Sequence, residues 1–139
     1  MTLKLTRRRD WRSQLCAYLD AVSRSQFQPG FHDCALFAAG AVRAMTDVDL
    51  AVGYVGKYRT ISDGMALLRD EGIDDLSALV ARHFSEIPPL KAGVGDLALV
   101  RGDAGADALG VVQGPSIFVL QRKGLGRVPL EEGIKGFRV

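Results

Sequence analysis

The stretch Phe31-His32-Asp33-Cys34-Ala35-Leu36-Phe37-Ala38-Ala39-Gly40-Ala41-Val42 follows a turn signal at residues 28–30 and predicts the start of a helix. Asp33 is a typical N-cap, because its carboxylate can accept a hydrogen bond from an unpaired N–H group in the first turn. Most of the side chains that follow are small or apolar, which indicates a helix that is buried on most of its surface. We expect this helix to end near Thr46.

Cys34 falls at the first position of this predicted helix. The unpaired N–H groups and the helix dipole at that position favour the thiolate, which is the nucleophilic form of cysteine. The neighbouring carboxylate of Asp33 acts in the opposite direction. Two interpretations of Cys34 therefore stay open at this point: a catalytic nucleophile, or a buried thiol that only packs.

Length and composition predict one globular domain. The 139 residues are 47% hydrophobic and 24% charged, and the chain is long enough to bury a core without disulfides or metals. The formal net charge of +2 is too small to indicate nucleic-acid binding. An N-terminal arm carries most of the local positive charge, and such an arm is more often a solvated terminus than a contact for a phosphate or an acidic partner. Its basic residues are Lys4, Arg7, Arg8, Arg9 and Arg12.

The two cysteines, Cys16 and Cys34, lie in separate predicted helices, and we interpret both as free thiols made in a reducing compartment. No apolar run approaches the length of a membrane span. The N-terminus has no apolar segment after its charged residues, so a secretory signal is not expected.

Helical periodicity dominates the first part of the chain. We expect Asp10 to cap a helix that runs to about Arg24, Ser62 to open another, and Asp74 or Asp75 to open the last. Residues 47–58 are predicted as a loop between helices. His83 lies beside the apolar face of the last helix, and such a residue is more often on the surface or half-buried than a ligand.

The periodicity changes after Pro88-Pro89, where short apolar runs are bounded by Gly, Pro and Asp. These runs predict strands of an antiparallel meander at 96–101, 108–113, 116–121 and 136–139, with a further short strand near 127–128 and a loop at 102–107. Helices that precede strands predict an α+β fold, with N-terminal helices packed on a C-terminal antiparallel sheet. We expect a single compact domain, in which residues 1–29 form a basic arm and a helix and residues 30–139 form the α+β unit.

Three motifs in this order resemble the NlpC-type branch of the papain-like cysteine peptidases. They are the helix start at His32–Phe37, the Gly-Asp strand at Val94–Val100 and the run Leu109–Gly114. In that family an Asp-Cys pair starts the helix, a Gly-Asp strand follows, and a strand with a His-apolar-Gly-apolar pattern comes next. The resemblance covers about residues 30–139 and implies a papain-like fold with Cys34 as the nucleophile.

The resemblance assigns the general base to Ala108, a residue that cannot accept a proton, and no histidine follows His83. A papain-like mechanism needs an imidazole within hydrogen-bond reach of the thiolate, and losing the base costs on the order of 10²–10⁴ in rate or more. His32, two residues before Cys34, is the remaining candidate base. Cys34 and His32 are catalytic residues only if the protein is active; otherwise His32 caps the loop or packs beside Phe31.

A narrower set of motifs is similar to a small family of phage and prophage proteins encoded among tail genes. This likeness implies a tail-tip or assembly protein with a degenerate NlpC-like fold, made in the bacterial cytoplasm and carried in the virion. Its implied partners are other tail-tip proteins, with peptidoglycan peptides as a further candidate. The motifs are Gly30–Phe37, Tyr58–Thr60, the Gly-Asp strand, Ala108–Val111 and a final aromatic-Arg pair.

Two enzymatic alternatives stay open. One is an active peptidoglycan endopeptidase that uses Cys34 with His32. The other is an acyltransferase that works through a Cys34 thioester, which needs a base as well. No metal or cofactor is expected, because His32, Asp33 and Cys34 cannot all point at one ion from a helix start and no Gly-rich phosphate loop is found.

Overall fold

The computed structural model describes residues 5–102 and 106–139, and within them four α-helices precede a six-stranded sheet. The helices are α1 (Trp11–Val22), α2 (Cys34–Thr46), α3 (Ile61–Asp70) and α4 (Leu76–Ala81). The strands are β1 (Ser85–Ile87), β2 (Leu97–Arg101), β3 (Asp107–Gln113), β4 (Ser116–Gln121), β5 (Gly124–Pro129) and β6 (Lys135–Arg138). The predicted α+β fold, with helices first and an antiparallel sheet second, is confirmed.

The strand order is β1-β6-β2-β3-β4-β5, and every neighbouring pair is antiparallel. Strands β2 to β5 form the predicted meander, but β6 leaves it. It pairs with β2, where Phe137 lies opposite Leu97, so the prediction of one continuous meander is wrong for the last strand. The strand β1 was not predicted, because its three residues Ser-Glu-Ile show no apolar alternation.

The helix α2 lies at the centre of the helical layer. Its N-cap is Asp33, whose Oδ1 accepts a hydrogen bond from the Leu36 N–H at 3.0 Å, and it ends at Thr46, both as predicted. The helix α1 packs against it, and the Tyr18 hydroxyl donates to the Phe37 carbonyl at 2.8 Å. Because α1 shares the main core with α2, the N-terminal helix is part of the same packed unit as the sheet.

Side chains alternate between the two faces of the sheet. On one face they pack against α2 in the main core, which includes Leu109 and Val111 of β3. On the opposite face a smaller cluster includes Val112 and Ile117, with Ala108 packed against it. Neighbouring residues of β3 therefore belong to different cores, as the twofold period of a strand requires.

The helix starts differ from the predictions by small amounts. Thr60 rather than Ser62 caps α3, with its hydroxyl accepting a bond from the Asp63 N–H. Asp75 caps α4, which is one of the two predicted positions. Asp10 precedes α1, which ends at Val22, but its carboxylate makes no capping hydrogen bond.

The N-terminal arm is docked on the sheet at Arg7, so the expectation of a solvated arm is wrong there. The Arg7 guanidinium donates to the Asp96 carboxylate at 2.9 Å and to the carbonyl oxygens of Val94 at 2.9 Å and Val139 at 3.0 Å. Burial lowers the pKa of Arg7, and the charge of Asp96 opposes that shift. Lys4 of the predicted arm and residues 103–105 of the predicted loop lie outside the described residues.

None of the helices in the described ranges combines the length and apolar character that a membrane crossing needs.

Candidate functional site

The Cys34 side chain borders a cavity of about 290 Å³ that separates α2 from α3 and α4. The strands β2 and β3 close one side of this cavity through Leu97 and Leu109. Its walls are mostly apolar, and it reaches solvent where exposed residues such as His83 and Asp107 join the lining. Cys34 therefore lies at the wall of a concave site.

Burial raises the pKa of the Cys34 thiol, and the neighbouring Asp33 carboxylate raises it further. The backbone N–H groups of Leu109 and Ala35 favour the thiolate, but their effect is smaller than that of burial. The net pKa lies above the ordinary value for cysteine. The thiol form therefore predominates at neutral pH, although Cys34 stands at a helix N-terminus.

The Asp33 carboxylate is almost fully buried and is occupied by three donors. The Gly30 N–H and the Leu36 N–H each donate to it at 3.0 Å, and the Tyr58 hydroxyl makes a short hydrogen bond to the same oxygen as Gly30. Burial, followed by this hydrogen bond, raises the pKa of Tyr58. Asp33 is therefore engaged in holding the helix start and the loop at Tyr58, rather than in orienting an imidazole.

Two glycines, one in the turn before α2 and one in α3, leave room for Tyr58 to lie close to both segments. A Cβ at Gly30 would overlap the Tyr58 carbonyl oxygen, and a Cβ at Gly64 would lie 2.9 Å from the Tyr58 ring. Gly30 also has a φ of +87°, a backbone conformation that glycine adopts without strain. Tyr58 was expected from the sequence at the end of a loop whose aromatics cover the core or line a cleft, and it does line the cavity. Its contact with Asp33 across 25 residues left no local signal.

His32 packs against the Phe37 ring, a contact that was not predicted from the sequence. The two rings meet edge to face, with centroids 6.3 Å apart and an interplanar angle of 79°. The His32 Nε2 is buried and has no hydrogen-bond partner among the described residues. Burial lowers the pKa of His32, and the nearby charge of Asp33 opposes this. The described residues that line the cavity include Cys34 but not His32.

Ala108, the position that the resemblance assigns to the base, points away from Cys34. Its side chain packs with the cluster on the far face of the sheet, whereas the adjacent Leu109 packs on the α2 side. The cavity is bordered by Asp107 and Leu109, with no contribution from the Ala108 side chain. Because a strand turns successive side chains to opposite faces, a side chain at position 108 lies on the face of the sheet away from the Cys34 sulfur.

His83 borders the same cavity as Cys34, which the sequence analysis did not predict. It follows α4, is exposed to solvent, and lies next to the Phe84 ring. Burial of part of its ring lowers the pKa of His83, and the charge of Arg82 lowers it further. Cys34 and His83 border this cavity from the start of α2 and from the segment after α4, and no sequence motif joins them.

Across the ranges 5–102 and 106–139, no three His, Cys, Asp or Glu side chains are grouped closely enough to hold a metal ion. Both cysteines are free thiols; Cys16 is exposed on α1 and Cys34 is partly buried.

The cavity is concave, opens to solvent and has mostly apolar walls with a few polar side chains. Pockets for small apolar ligands commonly have this form.

A family model described as a domain of unknown function (DUF6950) matches residues 6–139. None of the curated proteins matches the chain.

Proposed function

Since the chain belongs to the DUF6950 family, whose description assigns no activity, we propose a function from the site itself. The protein is a binding or assembly module of a phage or prophage tail tip, built on a degenerate papain-like, NlpC-type fold. In this role the cavity beside Cys34 binds but does not hydrolyse.

One observation carries the non-catalytic part of this proposal: the Cys34 sulfur borders an apolar cavity and its pKa is raised by burial. A cysteine hydrolase needs a lowered thiol pKa or an adjacent base. His32 turns to Phe37, and Ala108 packs on the far face of β3. The arrangement therefore favours a retained thiol without its proton acceptor.

The tail setting rests on the motif resemblance, which implies other tail-tip proteins as partners. In this setting the protein is made in the bacterial cytoplasm and carried in the virion. Mass spectrometry of purified particles from the source phage or induced prophage tests this setting. Detection at a fixed copy number per particle is expected, and absence from particles whose other tail proteins are detected would refute it.

A second function is an active peptidoglycan endopeptidase with Cys34 and His32. The position of Cys34 at the N-terminus of α2 favours it, since Leu109 and Ala35 present N–H groups that stabilise a thiolate. The test is release of peptide fragments from purified peptidoglycan by the wild type, Cys34→Ala and His32→Ala. Release by the wild type that is lost in Cys34→Ala would establish the enzyme and overturn the binding module.

The pH dependence of alkylation separates the two functions on the protein alone. With iodoacetamide, Cys16 serves as an internal control because it is exposed on α1. We expect Cys34 to react more slowly than Cys16, with a midpoint above the free-thiol pKa of ~8.5. Fast reaction of Cys34 below pH 7 would indicate a poised nucleophile.

A further inference from the structure

We propose that the cavity beside Cys34 binds a hydrocarbon chain of about ten to twelve carbons whose end group is neutral or cationic. The inference deepens the proposed binding role and rests on it, because it names the chemical class of the ligand that the same site takes.

The walls of the cavity are those of a site for an apolar chain. The helix α2 contributes small side chains, and α3 and α4 contribute larger aliphatic ones from the opposite wall. Since these aliphatic side chains offer no hydrogen bonds, a polar group placed between them would lose its hydration without compensation. The wall residues that define the space are Ala39, Val42, Met65, Leu68, Leu79 and Val80.

The volume sets the length of the chain. An engineered apolar cavity of about 150 Å³ holds benzene, which has six carbons. The cavity here has about 290 Å³, so it has room for roughly twice as many carbons. A hexyl chain would leave much of the space unfilled, and a tetradecyl chain would extend out of it.

The charges around the cavity select the end group. Among the described residues, the lining includes the carboxylates of Asp33, Asp75 and Asp107 but no lysine or arginine. Asp33 is buried and satisfied, whereas Asp75 and Asp107 are exposed where the cavity meets solvent. Arg101, which lies opposite Asp107 on β2, is exposed and does not border the cavity. A carboxylate at the end of the chain would therefore be disfavoured relative to a hydroxyl or an ammonium group.

The first test is thermal unfolding of the full chain with 1-hexanol, 1-decanol, 1-tetradecanol and decanoate as probes. A ligand that binds only the folded state raises Tm, and we expect 1-decanol at saturation to raise it by about 5 °C. The other three probes should give smaller shifts at equal free concentration. A shift that only grows with chain length would reveal non-specific partitioning, and a shift with decanoate equal to that with decanol would refute the charge argument.

A matched pair of variants locates the effect. Ala39→Leu on α2 fills part of the cavity, whereas Ala17→Leu adds the same atoms on the exposed face of α1. We expect Ala39→Leu to lose at least half of the decanol-induced shift and Ala17→Leu to keep it. Equal shifts in the two variants would overturn the proposal.

A second measurement needs no variant, so it holds even where Ala39→Leu fails to fold. In the wild type at pH 9.5, bound decanol should slow alkylation of Cys34 at least about fivefold, while Cys16 reacts as before. Equal protection of both cysteines, or of neither, contradicts binding beside Cys34. Peptidoglycan release would refute the non-catalytic module without changing the decanol result, so the two failures are distinguishable.

Discussion

Ala108 and Leu109 are adjacent on β3, yet their side chains pack into different cores, and only that of Leu109 lies on the side of Cys34. The resemblance to a His-apolar-Gly-apolar strand assigns the base to position 108. This is one residue before Leu109, whose side chain faces α2. The missing base is therefore a matter of register as well as of residue type, since a one-residue offset turns a side chain to the other face.

We predict that Ala108→His leaves the thiol of Cys34 unchanged, because an imidazole at position 108 would point into the far-face cluster. The midpoint of Cys34 alkylation against pH should match that of the wild type, and no peptidoglycan release should appear. Asp107→His is the matched variant, because position 107 borders the cavity. At the pH where Cys34 titrates this imidazole is neutral, so the variant removes a negative charge beside the cavity and should lower the midpoint by roughly half a pH unit.

The opposite result is informative. If Ala108→His lowers the Cys34 midpoint and Asp107→His does not, then the side chain of residue 108 reaches the sulfur. The strand would then have the register that the NlpC-type resemblance implies, with residue 108 facing α2.

Removing the Tyr58 hydroxyl tests the contact that fastens the loop to the start of α2. Tyr58→Phe should cost about 2 kcal/mol in the free energy of unfolding, because a charge-assisted hydrogen bond to the buried Asp33 carboxylate is lost. Tyr54→Phe is the control, since its hydroxyl donates to Glu71 on the surface at 2.6 Å. Urea denaturation measures both variants. Equal losses would mean that burial of Asp33 adds nothing to the bond.

The helix start was predictable from local chemistry. Asp33 predicted the N-cap, and the small apolar residues after it predicted a buried helix that ends at Thr46. What surrounds Cys34 could not be predicted in the same way. His83 reaches the site from a segment that no motif links to it, and the resemblance that includes both Tyr58 and Cys34 does not predict the contact between Tyr58 and Asp33. Burial also overrides the effect of the helix dipole on the thiol.

The Gly-Asp pair before β2 shows the same limit. Asp96 was predicted as part of a strand motif, but its carboxylate accepts hydrogen bonds from residues near both ends of the described chain. It accepts from the Arg7 guanidinium at 2.9 Å, from the Val139 N–H at 3.0 Å and from the Gly93 N–H at 2.9 Å. Gly95 before it has a φ of +89°, and a Cβ there would press on Met45. Arg7 and Val139 lie far from Asp96 in sequence, so periodicity gave no hint of these two contacts.

We predict that Asp96→Asn destabilises the protein by about 3 kcal/mol, because it leaves Arg7 without its carboxylate in a half-buried site. Asp10→Asn is the matched control, since its ion pair with Arg8 is on the surface at 2.9 Å, and it should change stability little. Chemical denaturation of the two variants compares them directly. A small effect of Asp96→Asn would show that its backbone donors are satisfied equally well by an amide.

His32 should make the stability of the protein depend on pH. Burial lowers its pKa in the folded state, so the unfolded chain binds a proton more readily. Its contribution is therefore favourable above the ordinary histidine pKa of ~6.5 and is lost as pH falls below that value towards the folded pKa.

His32→Leu removes this dependence and also removes the unpartnered Nε2, which should stabilise the protein at pH 7 by about 1 kcal/mol. Thermal unfolding between pH 7.5 and pH 5 measures the effect. His83→Leu shows how much of the dependence belongs to the other histidine, whose pKa is lowered as well. If His32→Leu lowers stability at pH 7 and leaves the pH profile of the wild type unchanged, then Nε2 has a partner that the imidazole needs, and the packing against Phe37 is not its main role.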